Sequence, residues 1–187
     1  MEHKYCAEYR EITLRPLHER DLDVLRQWRN DKNISKFLRP LPEITEEAQL
    51  KWYHDYLQDK SIIFFVIEHL RITTGTIAVY NIRNHEAEIG KIVVGRQDMH
   101  GRGIGYNSLL MAMYLGIQCL SIKNFYLEVH ENNMPARTIY HKAGFSITGS
   151  HNSGREGDEL EMMTESKKFE RLHPNIKEIR LYEEFPG

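Results

Sequence analysis

One stretch of this 187-residue chain, residues 89–115, limits its possible folds more than any other. An apolar run and a polar loop lead into a glycine-rich segment, and the residues that matter are Ile92, Val93, Val94, His100, Gly101, Arg102, Gly103, Ile104 and Gly105. Leu109, Leu110 and Met113 then recur at helical spacing. Alternating glycines let a backbone turn tightly, and the start of a helix presents unpaired amides with partial positive charge. The stretch predicts a strand, a loop and a helix, with a phosphate site at the helix start.

Several kinds of site use a glycine-rich loop before a helix. A nucleotide-binding P-loop has Lys and then Ser or Thr after its last glycine, whereas Gly105 is followed by Tyr106 and Asn107, which excludes that class. A dinucleotide-binding loop lies in the first strand-turn-helix unit, and a third glycine follows its second glycine by three residues. Ser108 occupies that position here and the loop lies mid-chain, so the match is poor. A turn that only connects two elements stays open as an alternative.

A second segment, residues 133–145, carries a pattern that complements the loop. Together the two segments resemble the GNAT superfamily of acetyl-CoA-dependent N-acetyltransferases. The family's first signature, Gln or Arg with Gly three and Gly or Ala five positions later, falls on His100, Gly103 and Gly105. Its second signature falls on Asn133, Ala136, Tyr140, Gly144 and Phe145. His100 departs from the family's Gln or Arg, which puts the side-chain contacts of that position in doubt. The resemblance spans residues 11–164.

The resemblance implies that acetyl-CoA is the cosubstrate. It places the phosphates at the loop and the pantetheine arm between two strands, 87–94 and 125–130, that splay apart. The implied cofactor-binding residues are Ile92, Val93, Val94, His100, Gly101, Arg102, Gly103, Ile104, Gly105, Asn133, Ala136 and Tyr140. Asn133 can also cap the helix that follows it.

Acetylation of an amine by direct attack requires a neutral amine, a polarised thioester carbonyl and a proton for the departing thiolate. A backbone amide around Val93 and Val94 can hold the carbonyl oxygen. Tyr140 matches the family's tyrosine and is the candidate acid, because a phenol is protonated at neutral pH. Glu88 is the first candidate base and His130 the second. Solvent-facing strand residues, a core tyrosine and a chain of water molecules acting as base remain the alternatives.

Composition narrows the class of protein further. The net charge is −2 and the 25 Lys and Arg residues form no basic block, which argues against nucleic acid as a partner. Cys6 and Cys119 lie far apart and predict reduced thiols. No window predicts a signal peptide or a membrane span, so we expect a cytoplasmic protein. The ten histidines are scattered without ligand spacing, so no metal site is expected.

The predicted fold class is α+β, with a mixed, mostly antiparallel central sheet of about seven strands flanked by about four helices. The first strand is predicted over residues 11–17, at a sheet edge. A helix over 46–58 is predicted with Thr45 as its N-cap and with Leu50, Tyr53 and Leu57 on one face. Residues 1–165 form one predicted domain. The extension 166–187 is expected to pack on that domain or on a dimer partner.

The acceptor is the least constrained feature. The sequence Trp28-Arg29-Asn30 at the end of the first helix resembles the branch of the superfamily that acetylates amino sugars, including nucleotide-linked ones. That acceptor is therefore the first expectation. A protein N-terminus and a polyamine or aminoglycoside are the alternatives. A non-catalytic acyl-CoA-binding module is the alternative from another class.

Overall fold

The structure, a computed structural model, describes residues 3–35, 37–38, 42–154 and 156–184. Its strands are β1 (Tyr5–Tyr9), β2 (Ile12–Pro16), β3 (Ile63–His69), β4 (Ile72–Arg83), β5 (Glu86–Val94), β6 (Asn124–His130), β7 (Ser146–Asn152), β8 (Asp158–Glu165) and β9 (Arg180–Glu183). Its α-helices are α1 (Leu22–Asn30), α2 (Lys32–Ser35), α3 (Glu46–Gln58), α4 (Ile104–Leu120), α5 (Met134–Lys142) and α6 (Ser166–Leu172).

All nine strands belong to one sheet, in the order β7-β8-β6-β5-β4-β3-β2-β1-β9. Neighbouring strands are antiparallel except β5 and β6, which run parallel. The predicted α+β class with a mixed, mostly antiparallel sheet is confirmed. Within the described ranges there are nine strands and six α-helices, more than expected. The additional elements β1, β9, α2 and α6 are short, and short segments carry little periodicity.

The position predicted for the first strand is wrong. The strand β2 lies between β1 and β3, so it is not at an edge of the sheet. Pro16 ends β2, where a missing amide hydrogen is tolerated, and its presence does not require an edge. The edges are β7 and β9.

The sheet separates two hydrophobic clusters. Strand alternation directs Phe65, Ile77 and Ile89 to the face covered by α4, and Phe64 and Val66 to the face covered by α1 and α3. The helix α4 is buried on most of its circumference, as expected for a central core helix.

The helix α3 begins as predicted but presents a different face. Thr45 Oγ1 accepts a hydrogen bond from the Ala48 amide at 3.2 Å, which confirms the N-cap. Leu50 is 37% exposed and is not part of the buried face, whereas Gln49 is buried beside Tyr53. The two prolines and mixed polarity of residues 33–42 predict a short helix and a loop over the acceptor side of the site; this segment lies partly outside the described residues.

The strands β5 and β6 diverge soon after they meet. They pair at three positions, Glu86 with Asn124, Ala87 with Phe125 and Glu88 with Tyr126. Beyond these positions β5 pairs with β4, and β6 pairs with β8. An irregularity in the β4–β5 register coincides with Lys91, whose φ of +53° marks a bulge. We call the wedge between the diverging strands the β5–β6 split.

Beyond residue 165 the chain forms α6, a 3-10 turn at Pro174–Glu178 and β9, which pairs with β1. Phe169 in α6 is fully buried in the cluster under α4. The division into a domain 1–165 and an extension 166–187 stays a prediction, as does a dimer. None of the helices in the part of the chain described here is long and apolar enough to cross a membrane.

Candidate active site

The glycine-rich loop connects the end of β5 to the start of α4. Gly101 and Gly103 both have a φ of +76°, a conformation that L-residues with side chains rarely adopt. A Cβ added to Gly101 would meet no atom within 4 Å, so the loop faces open space. Gly103 is the N-cap of α4, and the amides of the first turn that follows have no partner within the helix. The loop therefore fits the phosphates of acetyl-CoA by geometry and by charge.

His100 has a structural contact in place of the Gln or Arg that the family pattern contains. Its Nε2 lies 2.8 Å from the carbonyl oxygen of Val94, and this hydrogen bond ties the loop to the last residue of β5. Arg102 Nε donates to the Asp98 carbonyl at 3.1 Å. Both side chains therefore make hydrogen bonds that hold the conformation of the loop.

The backbone of β5 offers hydrogen-bonding groups to the split. The Gly95 amide donates to the Thr74 carbonyl on β4 at 2.9 Å. Because successive residues of a strand direct their backbone groups to opposite sides, Val94 directs its groups away from β4, into the split. Of the two valines predicted to hold the carbonyl oxygen, Val94 therefore has the favourable orientation.

The start of α4 brings the two sequence motifs together. A Cβ added to Gly105 would lie 3.7 Å from Val94 Cγ2 and 3.8 Å from Ile139 Cδ1, so α4, β5 and α5 meet there. Asn133 caps α5, because its Oδ1 accepts from the Ala136 amide at 3.3 Å. A direct contact between Asn133 and the cofactor stays a prediction.

Tyr140 lies in α5 and is 6% exposed. Burial raises the pKa of its phenol to about 12. The phenol is therefore fully protonated at neutral pH, as a proton donor must be.

Glu88 occupies the last paired position before the split. Asn81 Nδ2 donates to its Oε1 at 2.7 Å. Tyr80, its partner in the β4–β5 ladder, also faces the carboxylate. The sequence motifs did not point to Tyr80 or Asn81. A glycine inside a strand signals a close approach, and Gly90, over which the Tyr80 ring lies, was the available clue.

His130 has different surroundings from those expected of a base. Its Nδ1 accepts from the Asn132 amide at 3.2 Å, and its Nε2 lies 2.9 Å from the Glu156 carbonyl, to which it donates. Both ring nitrogens are used, so the imidazole links β6 to the loop before β8. Of the three predicted catalytic residues, Glu88 lies at the last β5–β6 pair before the split, Tyr140 is buried in the core cluster, and both ring nitrogens of His130 have partners within the fold; their catalytic roles stay predictions.

Trp28 and Asn30 of the Trp28-Arg29-Asn30 sequence have clear structural roles. Trp28 is 9% exposed and packs on the Gly95 backbone, where an added Cβ would lie 2.1 Å from Trp28 ring carbons. The Asn30 side chain exchanges two hydrogen bonds of 2.9 Å with the backbone of Ile44. Trp28 thus supports the end of β5, and Asn30 fixes the segment before α3.

The contact of Trp28 with Gly95 makes a stability prediction. We expect Gly95→Ala to lower the free energy of unfolding by about 2 kcal/mol, because the methyl group overlaps the indole and the backbone must shift. Gly105→Ala is the matched control, since its Cβ would meet only ordinary contacts in a helical position and Ala favours a helix by about 1 kcal/mol. Urea unfolding followed by circular dichroism measures both. A Gly95→Ala variant as stable as the parent would contradict the packing described.

Comparison with known proteins identifies the family. A family model described as an acetyltransferase (GNAT) domain matches residues 11–146. The chain belongs to the GNAT acetyltransferase family. The resemblance inferred from the two motifs is confirmed, and the protein is an acetyl-CoA-dependent N-acetyltransferase. A non-catalytic binding module is thereby set aside.

Similar proteins extend the comparison. The spermidine N(1)-acetyltransferase of Escherichia coli (strain K12) is 27% identical over 140 residues, 74% of each chain. The structure of a spermidine N-acetyltransferase from Vibrio cholerae in complex with CoA and spermine has a TM-score of 0.77 and 23% identity, and covers 85% of this chain and 98% of that chain. A GCN5-related N-acetyltransferase from Brucella melitensis has a TM-score of 0.74 and 18% identity, over 94% and 87% of the two chains. At these identities the two solved structures establish the fold alone.

Proposed function

We propose that this GNAT enzyme transfers the acetyl group to a primary amine of a small polycation of the polyamine class. The observation that carries the proposal is the acidic surface beside the split. Glu88 on β5, Glu128 on β6 and Glu161 on β8 lie on one face of the sheet, which we call the open face. The helices α1 and α3 pack over β3 and β4 on that face, whereas Glu128 and Glu161 are exposed.

The arrangement of these carboxylates favours a cation. Glu128 and Glu161 are direct partners in the β6–β8 ladder. Like charges directly opposite each other destabilise a sheet. His151 Nδ1 lies 3.3 Å from Glu161 Oε1, and a cationic acceptor would further offset the repulsion between the two carboxylates. The charges of Glu88 and Glu128 both raise the pKa of the Tyr80 phenol, so both carboxylates lie near it. The acidic surface therefore extends to the mouth of the split.

The comparisons support this acceptor better than the amino sugar expected from the sequence. The Escherichia coli relative is named for spermidine, and the Vibrio cholerae structure holds spermine. The contacts of Trp28 and Asn30 account for these residues without an acceptor. A nucleotide-linked amino sugar would bring its negative diphosphate toward the carboxylates of the open face.

The proposed chemistry distributes three tasks among the residues at the split. Acetyl-CoA supplies the acetyl thioester. The Val94 amide is directed into the split and is placed to hold the carbonyl oxygen. Glu88 takes a proton from the acceptor's ammonium group, directly or through water, and so produces the neutral amine. Tyr140 holds the proton that the departing thiolate needs.

A pair of variants on β8 tests the acceptor class. We expect Glu161→Gln to raise the KM for spermidine about fivefold, because one charge at contact distance in a solvated site contributes about 1 kcal/mol. The KM for acetyl-CoA should stay unchanged. Glu165→Gln is the matched control, since Glu165 is exposed on the same face of β8 but pairs with Asn124, away from the mouth of the split. Steady-state release of the CoA thiol measures both constants.

The dependence of KM on ionic strength provides a second test of the same assignment. The KM difference between the parent and Glu161→Gln should shrink as ionic strength rises, because salt screens exposed charges. Equal effects of Glu161→Gln and Glu165→Gln, or no response to either, would contradict the assignment of the open face to a cationic acceptor.

A further inference from the structure

Tyr80 lies where the open face meets the split. It pairs with Glu88 in the β4–β5 ladder, so the two side chains leave the sheet on the same side. A Cβ added to Gly90 would lie 3.1 Å from the Tyr80 hydroxyl, which shows that the phenol extends over the β5 backbone. Lys91 Nζ lies 4.9 Å from the ring centroid on the exposed side. The ring is thereby held between the strand and a cation.

The phenol can act only as a donor toward its acidic neighbours. Burial first, and then the charge of Glu88 and a hydrogen bond to it, raise the pKa of Tyr80. The charge of Glu128 acts in the same direction. Tyr80 therefore carries its proton throughout the range in which the enzyme works, and the Glu88 carboxylate is the acceptor it faces.

Asn81 completes the environment of the carboxylate. Its φ of +52° and the shift in the β4–β5 register mark a second bulge. The bulge directs the side-chain amide back toward β5, where it donates to Glu88 Oε1 at 2.7 Å. Two consecutive residues of β4 thus direct hydrogen-bond donors at one carboxylate, although side chains normally alternate.

We propose that Tyr80 is a positioning residue that, together with Asn81, holds the Glu88 carboxylate at the mouth of the split in the orientation needed to deprotonate the acceptor. The inference rests on the role proposed for Glu88. A carboxylate held by donors on a rigid strand is oriented before the acceptor arrives, whereas a free Glu side chain samples several rotamers.

The first test compares two tyrosine-to-phenylalanine changes. We expect Tyr80→Phe to lower kcat about tenfold and to leave the KM for acetyl-CoA unchanged, because a misplaced base slows proton removal without altering the cofactor loop. Tyr126→Phe is the matched control. Tyr126 is a partly buried tyrosine on the same face, and its hydroxyl lies 3.1 Å from Oε1 of Glu86, two residues before Glu88. Its loss should leave kcat unchanged.

A double-mutant cycle separates this proposal from the one on which it rests. If Tyr80 acts through Glu88, Tyr80→Phe should change kcat by less than about twofold in a Glu88→Gln background, because the group it positions is already disabled. Thermal unfolding of all four proteins verifies that the folded state is kept.

The possible results of the double-mutant cycle distinguish the role of Tyr80 from that of Glu88. Non-additive losses in kcat support Tyr80 as the positioning residue. Full additivity, or equal losses from Tyr80→Phe and Tyr126→Phe, overturns that role while Glu88 stands. A Glu88→Gln variant with the parent's kcat overturns the base assignment itself, and the role of Tyr80 with it.

Discussion

Replacement of Tyr140 by Phe is expected to lower kcat by about a hundredfold, because general acid catalysis contributes a factor of that size and only water would remain to protonate the thiolate. The ring stays in place, so affinity for acetyl-CoA should be kept. The pKa of about 12 predicts that Tyr140 stays protonated through the neutral and mildly alkaline range, so no loss of activity there should arise from its ionisation. Initial rates of thiol release measure kcat, and calorimetric titration measures binding.

Tyr114→Phe is the control for this change. Tyr114 is a partly buried tyrosine of α4 that contacts the same core cluster. We expect its replacement to leave kcat unchanged. A Tyr140→Phe variant that turns over as fast as the parent would exclude the phenol as the acid and leave proton delivery to water.

The second large effect is on stability, at a buried ion pair far from the split. Arg15 is 8% exposed and Asp21 4%, and the guanidinium makes two hydrogen bonds of 2.7 and 2.8 Å to the carboxylate. Arg15 Nε also donates to Glu68 at 2.7 Å. Asp21→Ala would leave the buried guanidinium with Glu68 as its remaining carboxylate partner, so we expect it to lower the free energy of unfolding by about 3 kcal/mol, the lower end of the loss typical of a broken buried pair. Urea unfolding measures the loss.

The same pair predicts a pH dependence. Burial alone would raise the pKa of Asp21, but the hydrogen bonds from Arg15 and from the His18 amide outweigh burial, and the pKa lies below its ordinary value. A carboxyl whose pKa is lowered on folding stabilises the protein above its unfolded-state pKa, and the contribution is lost as the pH falls through the folded-state pKa. The stability difference between the parent and Asp21→Ala should therefore be full at neutral pH and shrink below about pH 4.

Asp23→Ala is the control for the buried pair. The Asp23 side chain is 73% exposed and lies 3.0 Å from Arg26 in the same helix. Its removal should cost less than about 1 kcal/mol, as is typical of surface ion pairs. If Asp21→Ala were no more costly than Asp23→Ala, the buried pair would not stabilise the fold as described.

Local patterns predicted the elements that carry strong periodicity. The strand and helix around the glycine loop, the cap at Thr45 and the helix after Asn133 all depend on neighbouring residues, and the structure contains them. The pairing of β9 with β1 depends on contacts across almost the whole chain, which no local pattern records. Leu50 was predicted to share one face of α3 with Tyr53 and Leu57, but it is exposed. Tertiary packing, not spacing alone, decides which side of a helix is covered.

The residues of the candidate site also fall into those that local patterns predicted and those that depend on tertiary contacts. The resemblance to the family's two signatures pointed to the motif residues of the loop and to Tyr140, whose roles stay predictions. The donors to Glu88 could not be named in this way, because the pairing of Tyr80 with Glu88 depends on strand register and the bulge at Asn81 redirects a side chain that regular alternation would place elsewhere. The acidic open face also depends on strand order, since Glu128 and Glu161 come together only when β6 and β8 pair. A strand glycine such as Gly90 was the one local sign of close packing.

A competition between acceptors tests the central claim most directly. The purified protein is given limiting acetyl-CoA with equal concentrations of spermidine and a nucleotide-linked amino sugar, and the products are identified by mass spectrometry. We expect N-acetylspermidine as the dominant product. A dominant acetylated amino sugar would contradict the cationic acceptor while leaving the acetyltransferase chemistry intact, and the absence of both products would contradict both acceptor assignments.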